Sequence, residues 1–547
     1  MSAVSTFVHP NTFVKLLSEN GYDRRRPVDS RDAFDIHYLD LSSLKLRAGL
    51  FTPFLVTKSP VFNDPFTAAQ LQDVVKDAVG FCRTVPDTFV VLVVGSTCSD
   101  DSTRLFETAA DNHVAILQRS DIARIAGATD RKTRSKLLAS SLVSALGREA
   151  LQPYVYGRPA FGGRFFGRSS TLKSVLAGKG GASYTIMGNR RIGKTSLLRE
   201  IKQRLSSTSD KLRSAELYGS KCNSTFDAIL DLLRTLNPRE ANKITEKPNV
   251  VQSFPNYVRE IIEKEQGEVV LFIDEFDHIL DFDEHNRFEL THLLRNASDH
   301  PGCRVFIAGF RKVMAAREQM GHPMYNFGQS LPLTGLTLDE TIDMVTKPLE
   351  HLGIQLPKGD LPATIYRETA GYPELIQIFC AEIIRLYDKE SAVDETLLLD
   401  RVFQSESFKS AVLGSFLSNT FPHEALASYL LIREAMNNNV TVEDFEFDLD
   451  YVGDALKREG VRLNRNELWR LVQNLKVGGT FSSIDGTAKM RFSIPQLIRY
   501  CVRMNLDTSI LESLEQVKLA PKISEALLTH SNEPLAELRD PTNDPAS

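Results

Sequence analysis

The sequence of 547 residues has no apolar run of about eighteen residues, the length that a membrane-spanning helix requires. Its first residues, MSAVSTFVHPNTF, also lack the basic start and the apolar stretch of a signal peptide. Both absences argue against a membrane partner and against export. We therefore expect the chain to act in the cytoplasm.

Cysteines in a C-x-x-C arrangement are absent as well. The six cysteines are scattered along the chain at Cys82, Cys98, Cys222, Cys303, Cys380 and Cys501. This spacing favours neither a disulfide framework nor a zinc site. We expect these side chains to be small, buried and apolar.

The chain also lacks an excess of positive charge, because its formal net charge is -5. A protein coated in nucleic acid would have a basic balance, so any DNA contact is expected to be confined to one local face. What remains is an ordinary soluble composition, with 42% hydrophobic and 25% charged residues. Composition alone therefore indicates no chemistry.

The length exceeds what one hydrophobic core supports, and the fold class expected is multidomain α/β. Residues 1–150 are predicted to form an α/β domain, with extended stretches at 35–40, 52–58 and 89–94 and a helix at 67–82. Residues 151–164, rich in Gly, Pro and Arg, are predicted to be a linker. Alternating strands and helices over 165–337 indicate a parallel sheet covered by helices. We predict a helical lid at 338–405, a three-helix and hairpin domain at 406–505, and a helical or disordered tail at 506–547.

A phosphate-binding loop follows the strand SYTIM. It runs from Gly188 to Ser196 and precedes the helix SLLREIKQRL, so the predicted nucleotide-binding residues include Gly188, Asn189, Arg190, Arg191, Ile192, Gly193, Lys194, Thr195 and Ser196. Glycines let the backbone N–H groups point inward, and the helix N-terminus adds positive potential. Lys194 is expected to reach the β- and γ-phosphates, and Thr195 to offer its hydroxyl to Mg²⁺. The pattern predicts ATP and Mg²⁺ as cofactors.

A second motif, VVLFIDE, is an apolar strand that ends in two acids. A carboxylate at such a buried position is costly unless it faces a cation, so Asp274 is predicted to serve the metal with Thr195. Glu275 is predicted to orient and polarise the attacking water. Asp277 and His278 follow, but a helix cap or a surface position explains them equally well, and no catalytic role is assigned to them.

The segments FFGRSSTLKSVL, GNRRIGKTSLL, VVLFIDEFD, RVFIAGFRK and GYPELIQ together resemble the AAA+-related STAND ATPases, especially their archaeal-type branch. The resemblance covers about 165–500. It implies an ATP-driven switch that changes domain packing and forms homo-oligomers or binds a partner protein. It also implies that Phe166, Gly167 and Arg168 lie beside the adenine and that Pro373 of the lid touches the nucleotide.

Two arginines gain roles from the same resemblance. Arg311 would occupy the sensor position near the γ-phosphate, after the strand at 305–308. Arg295 would be an arginine finger between subunits, although an arginine near a helix C-terminus is common on any helix surface.

The first domain resembles the Mrr-type restriction-endonuclease fold in the order FVKLLSENGYD, DAFDIHYLDL, TPFLVTKS and DTFVVLVVGS. That chemistry uses two acidic groups on adjacent strands to hold Mg²⁺, plus a lysine. Asp35 and Lys58 match by position. Val56 stands where an acid or glutamine is usual, and Val14 where a helix often adds another acid. The site is therefore expected to be incomplete unless another acid, Glu19, Asp32 or Asp40, folds nearby.

In the region 406–505, three helices precede a hairpin signalled by Asp485 and Gly486, an order typical of a winged helix. The helix ELWRLVQNLKV falls where a recognition helix would, with Arg470 and Lys476 on its faces and Lys489 and Arg491 on the wing. Internal docking explains such a module as well as DNA binding does. Trp469 is expected to lie in the core.

Three functions remain open at this point. The first is an ATP-driven switch that controls a nuclease-like domain in DNA restriction or antiphage defence. The second is a DNA-binding adaptor or loader without nuclease activity. The third is a signalling scaffold that oligomerises on ATP, which the absence of salt-dependent DNA binding would favour.

Overall fold

The computed structural model describes residues 9–24, 28–30, 34–46, 52–57, 89–93, 114–177, 182–206, 211–238, 251–356, 359–390, 394–417, 421–438, 445–502 and 505–530. The chain divides into two compact units, Met1–Phe408 and Lys409–Ser547. Lys58, Asp32, the helix predicted at 67–82 and the end of the tail, 531–547, lie outside the described residues. Within the described parts, no helix combines the length and apolar character that crossing a bilayer requires.

The first unit begins with a five-stranded mixed sheet. In spatial order its strands are β1 (Asp29–Ser30), β2 (Phe34–Leu39), β3 (Thr52–Thr57), β4 (Val90–Val93) and β5 (Val114–Leu117). Strands β1, β2 and β3 pair antiparallel, whereas β3, β4 and β5 pair parallel. The sheet is accompanied by α1 (Pro10–Glu19), α2 (Arg119–Ala126) and α3 (Arg131–Leu146). The extended stretches predicted at 35–40, 52–58 and 89–94 thus correspond to β2, β3 and β4.

A second sheet, of five parallel strands, forms the centre of the first unit. Its spatial order is β10 (Gln329–Pro332), β6 (Tyr184–Met187), β9 (Cys303–Gly309), β8 (Glu268–Asp274) and β7 (Leu212–Tyr218). Strands β8 and β9 are buried along nearly their whole length, as expected for strands covered on both faces. The helices along this region are α4 (Arg148–Leu151), α5 (Ser169–Ala177), α6 (Lys194–Ser206), α7 (Thr225–Leu236), α8 (Phe254–Glu265), α9 (Phe276–Asp283), α10 (Glu289–Ser298) and α11 (Arg311–Glu318).

The strand order of this sheet brings three chain segments to one edge. Strand β9 pairs with β6 on one side and with β8 on the other. Because parallel strands share a carboxyl edge, the loop after β6, the acids after β8 and the residues after β9 lie side by side. The predicted phosphate-binding loop, Asp274 and Arg311 therefore come together through topology, not through closeness in sequence.

The helices after this sheet complete the first unit. They are α12 (Leu338–His351), α13 (Leu361–Thr369), α14 (Pro373–Glu390) and α15 (Glu395–Gln404). Helix α12 begins at a reciprocal cap between Thr337 and Glu340, which satisfies main-chain N–H groups at its N-terminus. The predicted helical character of 338–405 agrees with these elements.

The second unit is helical with one hairpin. Its helices are α16 (Glu406–Phe416), which crosses the boundary, α17 (Pro422–Asn437), α18 (Leu449–Arg458), α19 (Arg465–Val477), α20 (Pro495–Val502) and α21 (Leu506–His530). Strands β11 (Phe481–Ser483) and β12 (Met490–Phe492) pair antiparallel around the turn that contains Asp485 and Gly486, which confirms the predicted hairpin. Helix α21 shows that the first part of the predicted tail is helical.

The expected burial of Trp469 is wrong, because this side chain is 51% exposed. Helix α19 buries Leu468, Leu471, Val472 and Leu475. At about 100° per residue, position 469 lies well to one side of that stripe, so the helix turns its indole outward. The four described cysteines, Cys222, Cys303, Cys380 and Cys501, are buried as expected.

Candidate functional site

The loop between β6 and α6 forms a tight cradle. A Cβ at Gly188 would lie 2.8 Å from the main-chain oxygen of Leu333, and Gly193 has a φ of +101°, so both positions favour glycine. Lys194 begins α6, and its Nζ donates to the carbonyl oxygens of Gly188 at 2.8 Å and Asn189 at 3.0 Å. The ammonium group thus lies inside the loop, where a phosphate would be bound.

The electrostatic surroundings of Lys194 suit an anion. Burial lowers its pKa, and the nearby carboxylates of Asp274, Asp277 and Glu275 act in the opposite direction. A buried cation is strongly stabilised by a bound phosphate, because their attraction is weakly screened away from water.

Thr195 and Asp274 form the pair predicted to serve a metal. The Thr195 hydroxyl donates to Asp274 Oδ2 at 2.6 Å, and the N–H of Glu275 donates to Asp274 Oδ1 at 2.9 Å. Asp274 is only 4% exposed, and burial raises the pKa of its carboxyl group. A hydroxyl and a carboxylate beside a phosphate cradle are the oxygen ligands that Mg²⁺ prefers, so the residues present fit this ion.

Glu275 has an unusual backbone. Its φ is +54°, although it is not glycine, and its side chain is exposed towards the cavity beside Lys194. Gly219 after β7 permits this geometry, since a Cβ there would lie 2.2 Å from the carbonyl oxygen of Glu275. Such strained positions are commonly found at functional sites.

A cavity of about 340 Å³ joins the predicted residues. Its predicted lining residues are Phe166, Arg168, Arg190, Arg191, Ile192, Gly193, Lys194, Thr195, Ser196, Glu275 and Pro373. The wall also contains residues that sequence reasoning missed, namely Tyr156, Gly157, Arg158, Pro159, Ala160, Arg164, Phe165, Leu336, Met344, Glu374 and Gln377. Several of these belong to the segment predicted to be a linker.

That segment is attached firmly to the core. The N–H of Ala160 donates to Ser196 Oγ at 2.9 Å, and the N–H of Gly162 donates to Glu200 Oε2 at 3.0 Å. Residues 156–160 and Arg164 of this segment therefore form part of the cavity wall, beside the helix that follows the phosphate-binding loop. Their richness in Gly and Pro, which indicated a linker, reflects an irregular but ordered wall.

Arg168 connects three parts of the site. Its guanidinium group donates to the carbonyl oxygens of Ile192 at 3.1 Å and Thr334 at 2.7 Å, and its main-chain N–H donates to Glu340. Gly167 precedes it with a φ of +69°. The FGR turn thus joins the phosphate-binding loop to the start of α12.

Residues at the start of α14 contact the phosphate-binding loop. The Asn189 Nδ2 donates to the Tyr372 hydroxyl at 3.3 Å, and Arg191 Nε lies 3.2 Å from Glu374 Oε2. Burial raises the pKa of Tyr372 and of Glu374. Pro373 lies between these two contacts and lines the cavity.

The sensor candidate Arg311 is the first residue of α11, and Asp277 holds this end of the helix. Arg311 is 8% exposed, stacks on the Phe310 ring at 4.3 Å and influences the pKa of Lys194. Asp277 accepts hydrogen bonds from the main-chain N–H groups of Phe310 at 2.7 Å, Lys312 at 2.9 Å and Val313 at 3.4 Å. Asp277, to which the sequence assigned no catalytic role, therefore fixes the backbone on both sides of Arg311.

Arg295 lies apart from the residues that line the cavity. Its Nη1 donates to the carbonyl oxygens of Pro323 at 2.6 Å and Tyr325 at 3.0 Å. In this structure Arg295 therefore holds the loop between α11 and β10. A role for Arg295 between subunits stays a prediction.

The candidate nuclease site in the first sheet contains one carboxylate in the described residues. Asp35 on β2 pairs directly with Val56 on β3, and paired residues point to the same face. Asn11 on α1 donates to Asp35 Oδ2 at 3.0 Å, and its Oδ1 lies 3.1 Å from His37 Nε2. Lys58 lies outside the described residues.

The other acids considered for this site lie elsewhere or outside the described residues. Glu19 pairs with Lys15 at the exposed end of α1, and Asp40 accepts from the N–H of Ser42 at 2.9 Å. Asp40 is separated from Asp35 by about 16 Å of extended strand. Among the described residues, no cluster of three or more His, Cys, Asp or Glu could hold a metal ion.

The first sheet reaches the nucleotide cavity through one turn. Lys45, in a left-handed conformation, donates to the carbonyl oxygen of Phe165 at 2.9 Å and lies 5.1 Å from the centre of the Phe166 ring. Burial lowers its pKa, and Glu200 opposes the shift. On the other side of the turn, His351 of α12 contacts the carbonyl oxygen of Leu44.

Two further contacts join the segment after the first sheet to α12 and its C-terminal end. Arg148 Nε donates to the carbonyl oxygen of Leu352 at 2.9 Å, and the buried Tyr154 hydroxyl donates to that of Met344 at 2.9 Å. The turn after β2 and the segment that contains Arg148 and Tyr154 therefore both contact α12 or its C-terminal end.

Part of the chain matches a family model, and solved structures are similar to it. Residues 177–313 match the family model described as an AAA domain. No curated protein matches the chain. The Walker-type ATPase of Pyrococcus abyssi is similar to it with 15% identity over 64% of this chain and 99% of that one, at a TM-score of 0.45. The ORC2 protein of Aeropyrum pernix shows 15% identity over 66% of this chain and 98% of that one, at a TM-score of 0.44.

Proposed function

We propose that the chain is an ATP-binding and ATP-hydrolysing switch, on the premise that its matched AAA domain and parallel sheet give residues 177–313 the fold of a P-loop ATPase. The observation that carries the proposal is the meeting of Lys194, the Thr195–Asp274 pair and Glu275 beside one cavity. These groups supply a cation for phosphate, oxygen ligands for a metal and a carboxylate for water.

Each residue has a defined task in the proposed reaction. Lys194 and the N–H groups of the loop bind the phosphates and offset the charge that develops during transfer. Thr195 and Asp274 would hold Mg²⁺, which when bound neutralises phosphate charge. Glu275 orients a water and accepts its proton. Arg311 acts as the sensor next to the γ-phosphate, with its backbone fixed by Asp277.

The first domain is the proposed effector of the switch. The Lys45 turn contacts the Phe165–Phe166 wall of the cavity and, through Leu44, helix α12. A change in lid position on nucleotide exchange would therefore be transmitted to the first sheet. DNA restriction or antiphage defence is the setting in which such coupling would serve, with DNA contacting the first domain or the proposed winged helix.

A second candidate is favoured by the pairing of Asp35 with Val56. One carboxylate bound to an amide is a poor magnesium site, so the first domain would bind DNA or a partner without cutting it. In this case the chain is an ATP-dependent adaptor. The wing offers less positive charge than its sequence implies, because Lys489 is paired with Glu446 at 3.0 Å.

The test measures ATP binding and phosphate release by the full chain with Mg²⁺, and then DNA binding at increasing salt. Saturable ATP binding with turnover supports the switch, and its absence overturns it. Mixing an Arg295 or Arg311 variant with a Lys194 variant tests action between subunits, because partial recovery of turnover requires a shared site. Metal-dependent cleavage of bound DNA separates the effector from the adaptor.

A further inference from the structure

Two residues at the start of α14, Tyr372 and Glu374, hold the phosphate-binding loop, and we name them the lid clasp. Tyr372 accepts from Asn189 at 3.3 Å, and Glu374 lies 3.2 Å from Arg191 Nε. The two contacted loop residues are two positions apart in the chain, and so are Tyr372 and Glu374. The lid clasp therefore contacts the loop through the residue before Pro373 and the residue after it.

Arg191 is an unexpected residue for its backbone conformation. Its φ is +64°, a region in which glycine is at ease and a long side chain is uncommon. If this position had only to give the loop its phosphate-binding conformation, glycine would be the favoured residue at 191. The strain is therefore consistent with a task for the guanidinium group itself.

Glu374 is an equally unexpected neighbour for a phosphate. Its carboxylate is 8% exposed and lines the same cavity as Lys194 and Thr195. It accepts a hydrogen bond from the main-chain N–H of Gly157, and Arg191 is the cation in ion-pair contact with it. A buried carboxylate that loses its cation is costly, so the position of Arg191 matters to the lid.

We propose that Glu374 is the positioning residue that makes the lid respond to the γ-phosphate, because it and the γ-phosphate compete for Arg191. With a diphosphate, Arg191 stays on Glu374 and the clasp holds. With a triphosphate, Arg191 turns to the additional phosphate charge, Glu374 loses its cation and the lid contact loosens. This inference rests on the proposed ATP-binding function and adds the residues by which the site distinguishes ATP from ADP.

The variants isolate this competition. R191G removes the guanidinium group and leaves a residue that favours a φ of +64°. E374Q removes the negative charge but keeps the shape. The matched control is E382Q, on the same helix, whose carboxylate pairs with Arg385 and Arg401 away from the cavity.

The measurement is the dissociation constant of the full chain for ADP and for a non-hydrolysable ATP analogue, both with Mg²⁺, by calorimetry. We expect R191G to reduce the preference for the triphosphate by about tenfold, since one charged hydrogen-bonded contact is lost. E374Q should raise that preference by roughly threefold to tenfold, because Arg191 is released. The double variant should behave like R191G, and E382Q like the unmodified chain.

The double variant decides the question, because a merely structural role would lower the melting temperature without changing the ratio of the two affinities. An unchanged ratio in E374Q, or an E374Q effect that persists in the R191G background, overturns the competition. Failure of the unmodified chain to bind either nucleotide would instead overturn the proposed function.

Discussion

The cavity beside Lys194 and the sheet around Asp35 each place an aspartate on a strand, but they surround it differently. Asp274 is met by the Thr195 hydroxyl and a main-chain N–H, with a buried ammonium group close by. Asp35 is met by the amide of Asn11 and faces Val56 across the strands. Around Asp274, groups that can bind a cation and groups that can bind an anion line or adjoin the same cavity. Asp35, in contrast, accepts a hydrogen bond from an amide.

The difference shows that a carboxylate indicates catalysis only together with its neighbours. In the central sheet, strand order gathers three loops, so each group gains partners from distant sequence. In the first sheet, β3 contributes an apolar side chain, Val56, at the position paired with Asp35. Each variant below changes either the site around Asp274 or the site around Asp35, so that the two sites are tested separately.

The largest expected effect is that of K194A. Loss of the ammonium group should abolish measurable ATP binding, because Lys194 Nζ is held inside the phosphate-binding loop by the carbonyl oxygens of Gly188 and Asn189, and water cannot replace a buried cation there. Binding is measured by calorimetry with Mg²⁺. The control is K202A on the same helix, whose lysine pairs with Glu216 at 3.1 Å and should leave binding intact. Equal affinity in both variants would contradict the role of Lys194.

The next effect is that of E275Q on turnover. The amide keeps the shape but loses the base, so phosphate release should fall by roughly a hundredfold while ATP binding is kept. Steady-state phosphate release and calorimetry measure the two quantities separately. E284Q, at the exposed end of α9, should leave both unchanged. Turnover within threefold of the unmodified chain would remove Glu275 from the mechanism.

A smaller effect is expected from D277A. Loss of the carboxylate leaves the N–H groups of Phe310 and Lys312 without their acceptor, so the start of α11 and Arg311 move. We expect turnover to fall about tenfold while ATP affinity changes by less than threefold. The control is D283A, since Asp283 caps α10 through Leu290 and Thr291. It should lower the melting temperature but preserve turnover per folded molecule, and an equal loss of turnover in both would show a purely structural role.

The smallest expected effect is that of D35A, which should leave ATP turnover unchanged. We also expect the unmodified chain to show little or no cleavage of plasmid DNA with Mg²⁺ or Mn²⁺ when ATP is absent. Any cleavage that appears with ATP should vanish in D35A and in K58A, because both groups would serve one site. Strong cleavage without ATP would show that the nuclease residues were misplaced, and cleavage that survives both substitutions would place the activity elsewhere.

Much of the central sheet could be predicted from sequence, because its signals are local. Strand β6 lies within the predicted strand SYTIM, β8 begins one residue before the predicted strand, and β9 is longer than the strand predicted at 305–308 by two residues at its start and one at its end. The cavity wall at Tyr156 and the helix that Asp277 caps could not be predicted, since both depend on partners far along the chain. Trp469 was misplaced although the pattern of buried leucines on α19 already excluded it from the core.

The connection between the first sheet and the lid has a consequence for how the sequence can change. Lys45, Arg148, Tyr154 and His351 each meet a main-chain carbonyl oxygen, at Phe165, Leu352, Met344 and Leu44 respectively. A carbonyl oxygen is present whatever side chain its residue carries. One half of the connection therefore tolerates substitution during evolution, and only the four residues with polar side chains must be kept. A different sheet that supplied the same turn geometry could be joined to the central sheet without redesign of helix α12.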